Sequence, residues 1–337
     1  MRSFVVDRSR SCLLLGVAAA TFACTVREER PADTTGAADS PRAGIATGDT
    51  ARRAPTRVLT IEGGLQTPES VLHDRDLDVY FVSNINGNPS QKDGNGFISR
   101  VRPDGTIDSL RFIAGGRGGA TLNAPKGMVV RGDTLWVSDI DAVRAFNKRT
   151  GAPITSVSLA AQNPSFLNDI ATAPDGGLYI TDTGIRIASD GSMTATGTDR
   201  VLRIGPINRT ITVIAAGDSL MRPNGIAWDD ANNRMIIVPF AGSTIRAWST
   251  ETEQVTRVAD GVGQFDGVVV TGDGRMLVSS WADSSVHVFA NDTLDRAITG
   301  VNAPADIGWD AQRNRVLIPL FNDNRVEVWE LGASAGR

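Results

Sequence analysis

A strand–turn–strand pattern that recurs six times constrains the fold of this chain more than any other feature of its sequence. In its clearest copy, the polar turn Arg222–Gly225 leads into the apolar stretch Ile226–Trp228, and a β-branched strand begins at Met235 after an Asp/Asn-rich turn. This arrangement is typical of an antiparallel hairpin. The copies are spaced by roughly 40 to 57 residues, and such units repeat because one small sheet cannot bury both of its faces alone. The sequence therefore predicts an all-β fold, a six-bladed β-propeller.

The sixth copy is too short to supply a complete blade. After the strand-like stretch Arg325–Leu331, residues 332–337 are mostly small and form a tail, so this blade lacks a fourth strand. An open ring would expose unpaired strand edges, which folded proteins avoid. A spare strand-like stretch, Thr56–Ile61, precedes the first copy. We expect this N-terminal strand to complete the last blade and close the ring, so that the propeller spans residues 56–331.

The N-terminal residues 1–23 have the features of an export signal peptide. Basic residues precede an apolar stretch, Leu13–Ala23, that is too short to cross a bilayer as a helix. Cys24 follows in Thr21-Phe22-Ala23-Cys24, which resembles the lipobox of bacterial lipoproteins, although Thr21 stands where that motif usually has Leu. We expect Cys24 to be lipidated and the protein to be a cell-envelope lipoprotein, periplasmic or on the outer surface. The alternative is an ordinary signal peptide with an incidental cysteine, and a secreted protein.

Composition indicates what surrounds the propeller and what it does not bind. Residues 24–55 are rich in small and polar residues and bury too little apolar surface to fold, so we expect a disordered tether. The formal net charge of −4 argues against a nucleic-acid surface, which needs clustered Lys and Arg. We expect a monomer that meets the membrane through its lipid anchor only.

The repeat places one set of residues at one end of the channel. The first strand of a blade runs down the channel and the second runs back up, so the turn before the first and the loop after the second share one face. The residues that lead into the first strands, called here the mouth positions, are Glu69, Lys126, Asn168, Asn224, Asp266 and Ala305. The long loops Asn84–Asn95 and Gly184–Thr198 follow second strands and rise around the same mouth. Long loops on a rigid scaffold are where function tends to lie.

Four mouth positions carry oxygen ligands. Glu69 and Asp266 offer carboxylates, and Asn168 and Asn224 offer amide carbonyls. Hard oxygen donors suit Ca²⁺, or another divalent metal, better than they suit Zn²⁺, which prefers His and Cys. Asn-Gly and Asp-Gly are also common turn formers, so any one position taken alone is explained as well by its turn. The convergence of four such positions on one axis favours a metal site.

Other catalytic arrangements find little support in the sequence. The two histidines, His73 and His287, fall within predicted strands, and we expect both to be packed or surface residues rather than catalytic groups. No Ser-His-Asp or Cys-His set can be assembled from the chain.

At the mouth residues the chain resembles the SMP-30/gluconolactonase/LRE-like family of six-bladed propellers. The motifs that carry this resemblance are Pro68-Glu69, Leu167-Asn168-Asp169, Pro223-Asn224-Gly225 and Phe265-Asp266-Gly267. The resemblance implies that Glu69, Asn224 and Asp266 hold a divalent metal and that Asn168 lies beside metal and substrate.

Two departures from the family pattern bear on the substrate. Phe166 stands where family members that act on sugar lactones often have Arg, and Ser70 and Val71 follow Glu69 in place of Gly-Pro. With Phe166 and Phe265 at the rim, we expect a partly apolar lactone rather than a polyhydroxylated one. Lys126 either meets an anionic group of the substrate or remains solvated at the rim.

The resemblance implies a calcium-dependent hydrolase that opens a lactone or related ester with a calcium-activated water. On this hypothesis Asp266 is both metal ligand and general base, and Asn168, Phe166 and Lys126 contact the substrate. The alternative is a non-catalytic propeller, similar to NHL-repeat proteins, that binds a ligand or partner at the same face. A quinone-dependent sugar dehydrogenase is a third possibility, but the mouth lacks the basic and histidine residues that such a site would need.

Overall fold

The structure is a computed structural model that describes residues 54–290 and 293–332. These residues form six four-stranded antiparallel sheets, one for each blade, which confirms the all-β six-bladed propeller. Within this part of the chain there is no α-helix, and no helix is long and apolar enough to cross a membrane. The predicted signal peptide, Cys24, nearly all of the tether and most of the tail lie outside the described residues.

The first three blades follow the chain in order. Blade one contains β2 (Pro68–Asp74), β3 (Val79–Asn84), β4 (Phe97–Val101) and β5 (Ile107–Ala114), and it is preceded by β1 (Thr56–Ile61). Blade two contains β6 (Pro125–Arg131), β7 (Thr134–Asp139), β8 (Ala142–Asn147) and β9 (Pro153–Ser158). Blade three contains β10 (Leu167–Thr172), β11 (Leu178–Asp182), β14 (Arg200–Ile204) and β15 (Ile211–Ala216), with an inserted hairpin of β12 (Ile185–Ile187) and β13 (Met193–Ala195).

The last three blades repeat the arrangement. Blade four contains β16 (Pro223–Asp229), β17 (Arg234–Pro239), β18 (Thr244–Ser249) and β19 (Val255–Asp260). Blade five contains β20 (Phe265–Val270), β21 (Met276–Ser280), β22 (Ser285–Ala290) and β23 (Thr293–Thr299). Blade six contains β24 (Gly308–Asp310), β25 (Arg315–Leu320), β26 (Arg325–Glu330) and β1. Short 3-10 turns in the described part of the chain cover Ala160–Gln162, Asp218–Leu220 and Asp230–Asn232.

The N-terminal strand closes the ring as expected. β1 pairs antiparallel with β26, from Thr56 opposite Glu330 to Ile61 opposite Val326. Ile61 is 1% exposed and packs in an apolar cluster between blades one and six that includes Tyr80. The two ends of the propeller are therefore joined by a sheet and a shared core rather than by a covalent bond.

A bulge at the start of the first strands turns the mouth residues out of the hydrogen-bonded ladder. In blade four Pro223 pairs with Pro239, and the next regular pair is Ile226 with Ile237, so Asn224 lies in the interruption between them. Blades one, two, three and five show the same register shift at the same place. A bulge re-aims side chains that would otherwise follow the pleat of the strand.

Buried hydroxyl groups tie neighbouring blades together beside the mouth. In three blades a hydroxyl near the end of the second strand donates a hydrogen bond to the carbonyl oxygen of the mouth residue in the next blade. The pairs are Ser138 with Asn168, Thr181 with Asn224 at 2.6 Å, and Ser279 with Ala305 at 2.8 Å. These bonds fix the backbone of the mouth positions and leave their side chains for the channel.

Candidate functional site

Five of the six mouth residues line one cavity at the end of the channel. The cavity includes Glu69, Lys126, Asn168, Asn224 and Asp266 in its wall. The four predicted metal ligands are thus brought together with Lys126, as the repeat geometry requires.

The two carboxylates of the cavity are buried and incompletely paired. Glu69 is 5% exposed and Asp266 is 6% exposed, and neither Glu69 Oε2 nor Asp266 Oδ1 has a hydrogen-bond partner. Burial raises the pKa of both groups well above the ordinary range, and negative neighbours, Asp266 and Asp306 for Glu69 and Asp306 for Asp266, raise each pKa further. Buried acceptors without partners destabilise a protein unless a donor or a cation satisfies them.

The two amides are joined to each other. Asn168 Nδ2 donates to Asn224 Oδ1 at 2.5 Å and to Thr183 Oγ1 at 3.2 Å. An amide oxygen has two lone pairs, so Asn224 Oδ1 retains one of them. The side-chain nitrogen of Asn168 is occupied by these two hydrogen bonds. Its side-chain oxygen is therefore the group available to a ligand, and this oxygen can bind a metal but cannot donate a hydrogen bond to a substrate carbonyl.

The oxygen donors of the cavity are of the kind that a hard cation prefers, but the two carboxylates are too few to hold a metal ion by themselves. Among residues 54–290 and 293–332, no group of three or more His, Cys, Asp and Glu side chains is arranged to hold a metal ion. The amide oxygens of Asn168 and Asn224 would therefore have to join Glu69 and Asp266, with water completing the shell. Ca²⁺ accepts such mixed and irregular oxygen coordination.

Lys126 lies at the floor of the cavity and not at its rim. Its side chain is 1% exposed, Nζ donates to the Ala124 carbonyl at 3.1 Å, and Nζ stands 4.4 Å from the centre of the Phe166 ring. Burial lowers the pKa of Lys126, and the nearby carboxylates of Glu69 and Asp139 oppose that shift. The alternative of a solvated Lys126 is therefore wrong, because the blade-two turn carries the amine inward, onto the Phe166 ring.

The two rim phenylalanines of the sequence analysis have different positions. Phe166 lines the cavity, as predicted. Phe265 is fully buried in the core between blades four and five, so its predicted place at the rim is wrong. The bulge that follows Phe265 turns Asp266 to the channel and leaves Phe265 on the core side of the sheet.

Three aromatic residues missed in the sequence form a continuous wall above the floor. Phe240, Trp281 and Phe321 each follow directly after the second strand of blades four, five and six, and all three line the cavity. The ring centres of Phe240 and Trp281 are 5.8 Å apart, and those of Trp281 and Phe321 are 5.5 Å apart. We call this set the aromatic wall. Its signal in the sequence was the shared position after the second strand.

The two long insertions meet across the mouth. Asn88 Nδ2 donates to the Ala188 carbonyl at 3.2 Å, and the backbone N–H of Ile187 donates to Ser90 Oγ at 3.2 Å. The loop of blade one and the β12–β13 hairpin of blade three thus form a bridge, called here the arch, which spans blade two. The apolar residues that the arch contributes to the cavity are Ile85, Pro89, Ile185, Ile187 and Met193.

A second layer of acidic residues lies next to the mouth positions. Asp169 Oδ2 accepts from the backbone N–H of Ile226 at 2.7 Å, and Asp306 Oδ2 accepts from Ser70 Oγ at 2.5 Å. Burial raises the pKa of Asp169 well above the ordinary range and that of Asp306 to about 7. A Cβ on Gly127, which faces Asp169 from the preceding blade, would lie 2.3 Å from Asp169 Oδ1.

The histidines lie outside the cavity, as expected. His73 Nε2 is 3.1 Å from Asp78 Oδ1, and the imidazole packs edge-on against Tyr80. His287 Nε2 is 2.8 Å from Ser285 Oγ and 3.1 Å from Asp283 Oδ2. Both contacts of His287 use the same ring nitrogen, whereas a catalytic triad uses opposite nitrogens, so this cluster cannot relay a proton from serine to aspartate.

Solved structures of other proteins support the propeller fold, and a family model supports the assignment to a family. Solved structures similar to this one include a putative gluconolactonase, with a TM-score of 0.58 and 15% identity over 82% of this chain and 92% of that one. A luciferin-regenerating enzyme has a TM-score of 0.60 and 12% identity over 82% of this chain and 98% of that chain. Virginiamycin B lyase from Staphylococcus aureus has a TM-score of 0.57 and 12% identity over 81% of this chain and 98% of that chain.

At these identities the solved structures are informative about the fold alone. No curated protein sequence matches the chain significantly. The model of the SMP-30/Gluconolactonase/LRE-like region matches residues 72–308, which covers more than half of the chain and every mouth position except Glu69. The chain therefore belongs to the SMP-30/gluconolactonase/LRE-like family.

Proposed function

We propose that this protein is an exported, lipid-anchored, metal-dependent hydrolase that opens a lactone or related ester at the mouth of its channel. The observation that carries the proposal is the pair of buried, unpartnered oxygens, Glu69 Oε2 and Asp266 Oδ1, in one cavity with Asn168 and Asn224. Family membership supports a hydrolase-like or lyase-like activity in general terms. The choice of a lactone and of Ca²⁺ rests on the donor set and the lining of the cavity.

Glu69, Asn224 and Asp266 would hold the metal, with Asn168 completing the set of oxygens. When bound, Ca²⁺ or another divalent cation supplies Lewis-acid polarisation of a carbonyl group and stabilises the negative charge that develops on it.

Asp266 is the general base of this proposal. Its carboxylate lines the cavity. Burial and Asp306 raise its pKa in the metal-free protein, whereas a bound cation would keep it ionised and weaken it as a base, so we expect turnover to be modest. Asp266 would accept a proton from the water that adds to the substrate carbonyl, and would return it to the ring oxygen as the C–O bond of the lactone breaks.

Lys126 would act as a positive group toward the substrate. It is the only lysine or arginine that lines the cavity within the described residues, and its Nζ lies over the ring of Phe166. From the floor it can attract the carboxylate that ring opening produces. The aromatic wall and the arch restrict the access of water to this floor.

The test is a pH-stat assay with a panel of aliphatic, aromatic and sugar lactones, with and without Ca²⁺. We expect metal-dependent hydrolysis and a fall of at least about 100-fold for Asp266→Asn, because loss of a general base costs 10² to 10⁴ in rate. Asp295→Asn is the matched control, since Asp295 is an exposed carboxylate on the outer strand of the same blade. Chelator should also lower the melting temperature, and Ca²⁺ should restore it.

If no member of the panel is hydrolysed in a metal-dependent manner, the hydrolase proposal is wrong. The alternative, a non-catalytic propeller that binds a ligand at the same cavity, would then be preferred. Equal activity of Asp266→Asn and Asp295→Asn would remove Asp266 from the mechanism even if hydrolysis is found.

A further inference from the structure

The cavity is divided into a polar floor and an apolar upper part. Nine of its fifteen lining residues are apolar, and they come from the arch, the aromatic wall and Phe166. The polar residues are the five mouth residues of the lining, Glu69, Lys126, Asn168, Asn224 and Asp266, together with Thr183. A hydroxyl group placed in the upper part would lose its hydrogen bonds to water and gain few from the protein, which is unfavourable.

The arch and the aromatic wall face each other. The arch joins blades one and three and therefore spans blade two, whereas the wall belongs to blades four, five and six and is centred on Trp281 of blade five. In a ring of six blades, blade two is opposite blade five. The upper part of the cavity is thus a slot with aliphatic side chains on one side and aromatic rings on the other. Flat groups stack well on such rings.

Trp281 links the aromatic wall to the floor of the cavity. Its buried Nε1 has no acceptor in ordinary hydrogen-bond geometry, but its N–H lies close enough to the Asp266 carboxylate to lower the pKa of that group. Trp281 and Asp266 belong to the same blade, so the indole ring borders both the slot and the polar floor.

We infer that the slot between the arch and the aromatic wall is a subsite for a flat, apolar substituent, and that Trp281 and Met193 determine specificity. This inference rests on the proposed function and adds the substrate class. The substrates are lactones or esters that carry an aromatic or similarly flat apolar group beside the reacting carbonyl. The ring of Trp281 contacts the flat group, while its N–H stays beside the carboxylate of Asp266.

The test uses binding rather than turnover, so that it does not depend on catalysis. Two non-hydrolysable δ-lactams of equal ring size, one bearing a phenyl group and one bearing hydroxyl groups, are titrated calorimetrically into the full protein with and without Ca²⁺. We expect the phenyl lactam to bind at least about 10-fold more tightly, the ratio that corresponds to one favourable aromatic contact.

Two variants assign the preference to the slot. Met193→Glu places a charge in the arch, and we expect it to weaken the phenyl lactam about 10-fold. Its control is Ile207→Glu, the same kind of change at a residue that is 93% exposed in the turn between β14 and β15 and away from the mouth. Trp281→Leu removes the aromatic ring, and we expect it to weaken the phenyl lactam about 10-fold and to change binding of the hydroxylated lactam by less than about 2-fold.

The outcomes separate this inference from the proposed function. Equal or tighter binding of the hydroxylated lactam, or indifference of phenyl-lactam binding to both Met193→Glu and Trp281→Leu, overturns the slot. Preference for the phenyl lactam without hydrolysis of any lactone supports the slot and refutes the hydrolase. Metal-dependent hydrolysis without any preference for flat apolar lactones supports the hydrolase and refutes the slot.

Discussion

Closure of the ring by β1 makes the stability of the whole propeller depend on a few residues at its N-terminus. Ile61 is 1% exposed and packs between blades one and six, whereas Val58 on the same strand is 36% exposed. Truncation of a buried isoleucine to alanine costs 2 to 5 kcal/mol, so we expect Ile61→Ala to lower the free energy of unfolding by about 3 kcal/mol. At roughly 2 to 4 °C per kcal/mol for a domain of this size, the melting temperature should fall by roughly 6 to 12 °C.

Deletion of residues 56–63 should have a larger effect than the point substitution. It removes Ile61 and the half-buried Leu59, exposes the edge of β26, and takes Arg57 away from the buried carboxylate of Glu327, which lies 2.8 Å from it. Domains are stable by only about 5 to 15 kcal/mol, so this combined loss should abolish cooperative folding near ambient temperature.

The assay is thermal unfolding followed by circular dichroism and calorimetry, at one fixed Ca²⁺ concentration. Val58→Ala is the control, and as an exposed substitution on the same strand it should change the free energy of unfolding by about 0.5 kcal/mol or less. Two results would refute the reasoning. One is a deletion variant whose melting temperature is within a few degrees of that of the parent, and the other is an Ile61→Ala variant with the same melting temperature as Val58→Ala.

Two further predictions concern the acidic layer and the N-terminus. Burial raises the pKa of Asp306 to about 7, whereas the pKa of an aspartate in the unfolded chain is about 4. The contribution of Asp306 to stability is therefore fully present below about pH 4 and is lost as the pH rises to about 7. In chelator, the free energy of unfolding measured in urea should therefore fall between pH 4 and pH 8, by up to about 4 kcal/mol through Asp306 and further through Glu69, Asp169 and Asp266, whose pKa values are also raised. Asp306→Asn should make this slope shallower without removing it, and an unchanged slope would exclude Asp306 as a contributor. For the anchor, we propose that Cys24 is lipidated: the parent should partition into the detergent phase and Cys24→Ser into the aqueous phase, and equal partitioning would reject lipidation.

The blades, the closing strand and the mouth positions were predictable because each depends on local sequence. Turn residues and alternating apolar residues mark every hairpin, and the missing fourth strand of the last blade has one candidate, Thr56–Ile61. The convergence of Glu69, Asn224 and Asp266 then follows from the symmetry of the ring.

The parts that could not be predicted depend on bulges and on contacts between blades. Phe265 and Asp266 are adjacent in sequence, and only the bulge decides that the second faces the channel while the first packs in the core. An aromatic residue after a strand, such as Trp281, has the same sequence signature whether it enters the core or lines a cavity. The burial of Lys126 depends on Phe166, which comes from a different blade.

The direction of β1 also determines which face of the propeller its N-terminus leaves. β26 begins beside the mouth, after Phe321 of the cavity, and ends at Glu330 on the opposite face, where it pairs with Thr56. Thr56 and Glu330 therefore lie together on the face opposite the mouth, and both ends of the propeller leave it there. An attachment at the N-terminus would therefore meet the propeller on the face opposite the cavity. For the same reason, a label or an immobilising group attached at either end should leave the cavity open to solvent.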